Sequence, residues 1–168
     1  HPDGAMYVTI GGRKTQSGMY RITYTGSEST APAGAVTNDE GLEYRELRYS
    51  LERLHGAQSR YTIDLAWPYL AHPDRAIRFA ARIAIEHQPV DWWADRALVE
   101  ENPVALTQAV IALARNGKPE HHANAIAALN QADWKSIGDS QRVDLLRAYQ
   151  LVFIRLGKGT EESRKSVL

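Results

Sequence analysis

The chain has 168 residues, 43% of them hydrophobic, and its 20 Lys and Arg balance 20 Asp and Glu. That length supports one core with a small appendage rather than two large domains, and the balanced charge lacks the basic footprint of a dedicated nucleic-acid binder. With no cysteine, disulfides, thiolate metal sites, a Cys nucleophile and the Cys-x-x-Cys-His haem attachment are excluded within these residues. The longest apolar run falls short of a membrane span, and nothing at the start resembles a signal peptide. The opening His1-Pro2-Asp3-Gly4 reads as a turn, so the chain is expected to be a piece of a longer protein, with targeting information left outside it.

Residues 1–26 differ in character from the rest. Asp3-Gly4 signals a turn, Met6–Ile10 has strand composition, Gly11-Gly12 breaks it, and Gly18–Tyr24 resumes with alternation. This predicts a β-hairpin whose loop around Lys14 spans about seven residues, longer than usual. Met19, Arg21 and Thr23 share one face; Tyr20, Ile22 and Tyr24 share the other. An isolated hairpin is marginal in water, so cover from the helices, another copy or further strands is expected. Residues 27–41, rich in Gly, Ser, Thr, Pro and Ala, read as a flexible linker.

Helical periodicity then runs through residues 42–157. A first helix carries Leu47, Leu51 and Leu54 and stops at Gly56, a residue suited to the left-handed C′ position. Thr62 is expected to cap a short helix with Leu65, Ala66, Tyr69 and Leu70, kinked or tightened to 3₁₀ at Pro68. Pro73 and Pro103 are placed at the first position of two further helices, where a missing N–H costs nothing. Between them Asp91 is expected to cap a helix with Trp92, Trp93, Ala97 and Leu98. Pro119 opens the next helix, with Ala125, Ile126 and Leu129 inward, and Asp139 or Ser140 caps a last one carrying Leu145, Leu146, Tyr149, Val152, Phe153 and Leu156. Residues 158–168 form a polar tail.

One pattern recurs at an offset of roughly 30 positions. Pro73 answers Pro103, Phe79 answers Ala109, Ile83 answers Leu113 and Ala84 answers Ala114. Units of this kind bury their apolar faces only against neighbours, which predicts stacked helix pairs. The segment Ala71–Ala84, with its Ile77-Arg78 pair and the spaced alanines Ala81 and Ala84, resembles the second helix of a HEAT repeat. That resemblance implies an all-α fold, an α-α superhelix of HEAT-like helix pairs following the small hairpin, acting as a scaffold or interaction surface.

The opening Asp3-Gly4-Ala5-Met6-Tyr7, followed by Gly18-Met19-Tyr20-Arg21, is similar to a blade edge in β-propellers of the glucose/sorbosone dehydrogenase group. The order of propeller end, linker and helical repeat resembles large secreted bacterial proteins described as membrane-bound dehydrogenases. This implies a periplasmic or secreted location and a parent that is a quinone-dependent sugar dehydrogenase. The parent's cofactor ligands would lie upstream, so no cofactor, catalytic residue or metal ligand is assigned within these residues.

His121-His122 invites a metal reading, but neighbours on a helix point about 100° apart and need further ligands, so solvent-facing polar residues are expected instead. Glu86-His87 suits a helix end better than an acid/base pair. Arg75, Arg78 and Arg82, at helical spacing with Glu86, form the best binding candidate, and Trp92 and Trp93 add an aromatic surface. The expected function is a non-catalytic interaction module with a protein partner, either an adjacent propeller domain or another chain. Neither membrane insertion nor nucleic-acid binding is expected. The alternatives are that Trp92, Trp93 and the arginines line a parent enzyme's substrate mouth, or that the stripe binds polyanions.

Overall fold

The computed structural model describes residues 3–31 and 39–167. Residues 32–38 of the expected linker, and the terminal residues His1, Pro2 and Leu168, lie outside the described residues. Two compact units divide the chain, His1–Asn38 and Asp39–Leu168.

In the first unit, strands β1 (Met6–Gly12) and β2 (Thr15–Ile22) pair antiparallel. Met6 lies opposite Ile22 and Val8 opposite Tyr20; the register shifts between Ile10 and Gly12, so that Gly12 meets Thr15. The connection is therefore the two residues Arg13 and Lys14, not a seven-residue loop. Gly11-Gly12 continue the strand through a bulge, where the extra residue tightens the twist, and Lys14 takes φ 64° to close the turn. Asp3 ties down the approach to β1, accepting from the Ala5 N–H at 3.0 Å and the Tyr7 hydroxyl at 2.7 Å. Those bonds, the Tyr7 one foremost, hold its carboxyl below the ordinary carboxylate range. Large apolar side chains on both hairpin faces are open, among them Met6 and Tyr20 on one face and Met19, 70% exposed, on the other.

The second unit contains eight α-helices among the described residues. Helix α1 (Asp39–Glu52) begins within the stretch read as linker, and Gly56 follows it at φ 100°, in the left-handed region as expected. Helix α2 (Arg60–Ala66) is capped by Ser59, whose Oγ accepts from the Tyr61 N–H, so the expected Thr62 cap is corrected; Thr62 is buried inside the helix. A 3₁₀ turn, Trp67–Ala71, contains Pro68 as its spacing predicts. Helix α3 (Arg75–Glu86) is capped by Asp74, which accepts from the Ala76 and Ile77 N–H groups. Pro73 thus stands ahead of the cap, not at the first helical position.

A 3₁₀ turn (Val90–Trp92) then leads to α4 (Ala94–Leu98), which has no side-chain cap, so Asp91 lies in the turn instead of capping. Helix α5 (Pro103–Asn116) does carry its proline at the first position, capped by Asn102 through the Val104 and Ala105 N–H groups. After a 3₁₀ turn at Pro119–His121 come α6 (His122–Leu129) and α7 (Asp139–Arg155). Gly138 holds the cap position of α7, its N–H donated to Gln141 Oε1 at 2.9 Å, so neither Asp139 nor Ser140 caps. The polar tail contains α8 (Glu161–Lys165), capped by Thr160.

Helices α1, α3, α5 and α7 pack side by side in that order, and α2 with its 3₁₀ continuation, α4 and α6 lie in a second row against them. Helix α5 is central, buried at every position from Ala105 to Ala114. Its all-round apolar sequence follows from having neighbours on several sides. Ala81, Ala84, Ala109 and Ala112 are fully buried.

The caps Asp74 and Asn102 reset the internal repeat to 28 residues. At that spacing Ala81 answers Ala109, Ala84 answers Ala112 and Ile85 answers Leu113, each of them buried. The prolines suggested roughly 30 because proline is tolerated on either side of a helix start and so marks it only to within two residues. Phe79, matched to buried Ala109 by the longer offset, is 54% exposed.

Candidate functional site

Three parallel stripes meet on the open face of the α3–α5–α7 row. Arg75, Arg78, Phe79 and Arg82 come from α3, Gln108, Ile111 and Arg115 from α5, and Asp144, Arg147 and Leu151 from α7; together they line a groove of about 290 Å³. Apart from the adjacent pair Arg78 and Phe79, the members of each set recur at intervals of three or four residues, which brings them onto one side of their helix. The structure thus joins the three sequence-read arginines to two others, from helices that sequence reasoning did not connect to them.

The arginines differ in how far the fold employs them. Arg78 Nη1 donates to the carbonyls of His72 and Pro73, both at 2.8 Å, and so fastens the turn before α3. Arg82 donates to Gln108 Oε1 at 3.0 Å and lies 3.2 Å from Glu86 Oε1, while Arg115 Nε donates to Glu86 Oε2 at 2.8 Å. Glu86 therefore bridges α3 and α5. Burial pulls the Arg82 guanidinium below its ordinary pKa, with Glu86 opposing that shift; arginine's high starting value keeps it charged. Arg75 and Arg147 are exposed. Arg147 bonds Gln150, and Arg75 forms no hydrogen bond or ion pair with the described residues.

Replacing Arg78 with Ala is expected to cost about 1.5–3 kcal/mol, the range for hydrogen bonds made by a charged group. Urea denaturation measures it; an unchanged midpoint would show that water replaces both bonds without loss.

The tryptophans stand apart from this groove. Trp92 is half-buried beneath the Arg60 guanidinium, which lies 4.9 Å from the ring centre. Trp93 is 1% exposed and donates its indole N–H to the Gln88 carbonyl at 3.2 Å. The expected surface role of Trp93 is thereby corrected, because after the 3₁₀ turn its ring points into the core. A substrate mouth formed by both tryptophans and the arginine stripe loses one of its members.

The histidines also sort differently from expectation. His121 Nδ1 accepts from the Lys118 N–H, whereas His122, expected to face solvent, is 6% exposed, with Phe153 edge-on at 5.0 Å between ring centres. Glu86 turns to the two arginines, and the His87 ring stacks on His55 at 5.7 Å. Among the described residues no group of three His, Asp or Glu side chains is placed to hold a metal ion, and no helix is long and apolar enough to cross a membrane.

Burial lowers the His122 pKa below its ordinary 6.5. As pH falls, the unfolded chain binds this proton first, so the contribution is complete above pH 6.5 and is lost as pH drops below it. Thermal melts at pH 7.5 and 5.5 should show a larger loss for the native chain than for His122→Phe. Equal losses would reject the assignment.

Sequence reasoning missed Arg115, Arg147, Gln108 and the exposure of Phe79. The α7 stripe was available as a signal in the helical spacing of Asp144, Arg147 and Leu151, two charged residues and an apolar one, but nothing in the sequence states which helix lies beside α5. Comparison with protein families, with curated proteins and with solved structures finds no match to this chain.

Proposed function

We propose that this chain is a non-catalytic interaction module, an α-α superhelix of HEAT-like helix pairs whose α3–α5–α7 face receives a protein partner. The 28-residue recurrence with matching Asp74 and Asn102 caps supports the repeat reading. The observation that carries the interaction reading is Phe79, a large aromatic 54% exposed within a groove walled by packed helices. A lone exposed apolar side chain is ordinary, but Phe79 lines the groove together with Ile111 and Leu151 among the arginines, and an apolar patch rimmed by polar groups marks a binding surface. Glu86, held between two arginines, serves the wall's own cohesion instead of acid/base work. On the same reading the helical unit follows a dehydrogenase-type propeller in a longer secreted bacterial protein, a proposal supported by residue resemblance alone.

A photo-crosslinking phenylalanine analogue placed at position 79 tests this. Discrete protein adducts are expected there and not from the same probe at Ala127, an exposed site on α6 of the second row. Equal labelling from both positions would remove the assignment of this face. Turnover by the purified chain with sugars and artificial electron acceptors would overturn the non-catalytic reading.

A further inference from the structure

The charges in the groove identify a class of partner, and we infer that it takes a short acidic peptide segment carrying an apolar side chain. This rests on the interaction reading above and specifies its ligand.

Five guanidiniums contribute to the groove, against Asp144 within it and Glu86 beside it. Glu86 is already shared by Arg82 and Arg115. Positive charge is therefore in excess locally, although the whole chain is neutral. Arg75 and Arg147 stand exposed on separate helices, and Arg75 bonds no described group. Their planar forks suit carboxylates, which they can hold through paired N–H donors.

Apolar side chains share the lining. Phe79 stands open, with the Arg82 guanidinium 5.2 Å from its ring centre, and Leu151 lines the same groove from α7. A ligand that fits both features carries a carboxylate next to an aliphatic or aromatic side chain.

A nucleic-acid strand suits this place less well. A cavity near 290 Å³ lies at the small end of ligand pockets and holds a side chain or two, not a run of phosphates. Asp144 repels phosphate and carboxylate alike, but a peptide also offers backbone N–H groups from which a carboxylate can accept, and a phosphodiester backbone offers none.

Selection of a randomised octapeptide phage library on the full chain provides the test, followed by fluorescence anisotropy of the selected peptide. Asp or Glu beside Leu, Ile or Phe should be enriched over the input library. Affinity should fall at least about tenfold in Arg147→Glu and in Arg75→Glu, and should weaken with salt. Both positions are exposed, and unchanged thermal melts would show the fold intact. Selected peptides without acidic enrichment that still lose binding in Phe79→Ala would overturn the acidic class and leave the interaction reading standing. Tighter binding of labelled oligothymidylate than of any peptide would overturn it in favour of nucleic acid. Recovery of no peptide sensitive to these substitutions would overturn both readings together.

Discussion

Replacing Trp93 with alanine is expected to destabilise the helical unit by about 3–5 kcal/mol, the usual cost of deleting a large buried aromatic. The indole is 1% exposed, and its N–H is satisfied by the Gln88 carbonyl. Gln88 is itself buried and joins two segments, accepting from the Ser59 N–H at 2.8 Å and donating to the carbonyls of Ala57 and Ala84 at 3.1 Å each. Truncation at position 93 therefore opens a cavity and also releases the carbonyl of a residue that ties the start of α2 to the end of α3. A loss of this size is a large fraction of the roughly 5–15 kcal/mol that holds a typical domain folded. Urea denaturation followed by far-ultraviolet circular dichroism would measure it, with Trp93→Phe retaining most of the volume and losing less. A loss under about 1 kcal/mol for the alanine variant, in the range of surface substitutions, would place Trp93 outside the core.

The second large effect concerns Glu86. Its side chain is 8% exposed and that of Arg82 is 14% exposed, so Glu86→Ala leaves a guanidinium buried without its counter-charge. Breaking a buried pair from one side costs about 3–5 kcal/mol, whereas replacing both members with apolar groups of similar size is often neutral. Arg115, about half exposed, can turn to water and contributes little to this loss. The expected result is a steep fall in urea midpoint for Glu86→Ala and a substantial recovery in Glu86→Leu combined with Arg82→Leu. If the double variant is no more stable than the single one, the two side chains are not energetically coupled and their pairing within α3 is incidental.

Much of the helical unit was readable from local chemistry. The positions of α3, α5 and α7 follow from apolar side chains at intervals of three and four. Gly56 and Pro68 behave as their backbone preferences require, because those preferences belong to the residue itself. The errors arose where two residues compete for one role. Ser59 and Thr62 can both cap, and Ser59 does because Thr62 is drawn into the core. Gly11-Gly12 can break a strand or extend it, and cross-strand pairing of Gly12 with Thr15 extends it. His122 reads as polar in sequence and is buried against Phe153, a residue more than a full helix away along the chain.

The candidate site was legible only in its first third. Spacing within α3 is enough to align Arg75, Arg78 and Arg82, since helix geometry acts over a few residues and needs no knowledge of the rest of the fold. Whether that stripe faces open solvent, a neighbour or a groove depends on which helices lie beside it.

Taken alone, the amino-acid order determined the helical character of the second unit, the hairpin before it and the alanine-rich faces of α3 and α5 that are buried. These are consequences of dihedral preference and hydrophobic period, which act within a turn or two of the chain. Tertiary packing decided that Arg115 and Arg147 join the α3 arginines, that Trp93 is core and Phe79 surface, and that Glu86 binds two helices together. Each of those outcomes depends on contact between residues tens of positions apart, made where burial of α5 on several sides fixes which faces of α3 and α7 remain uncovered.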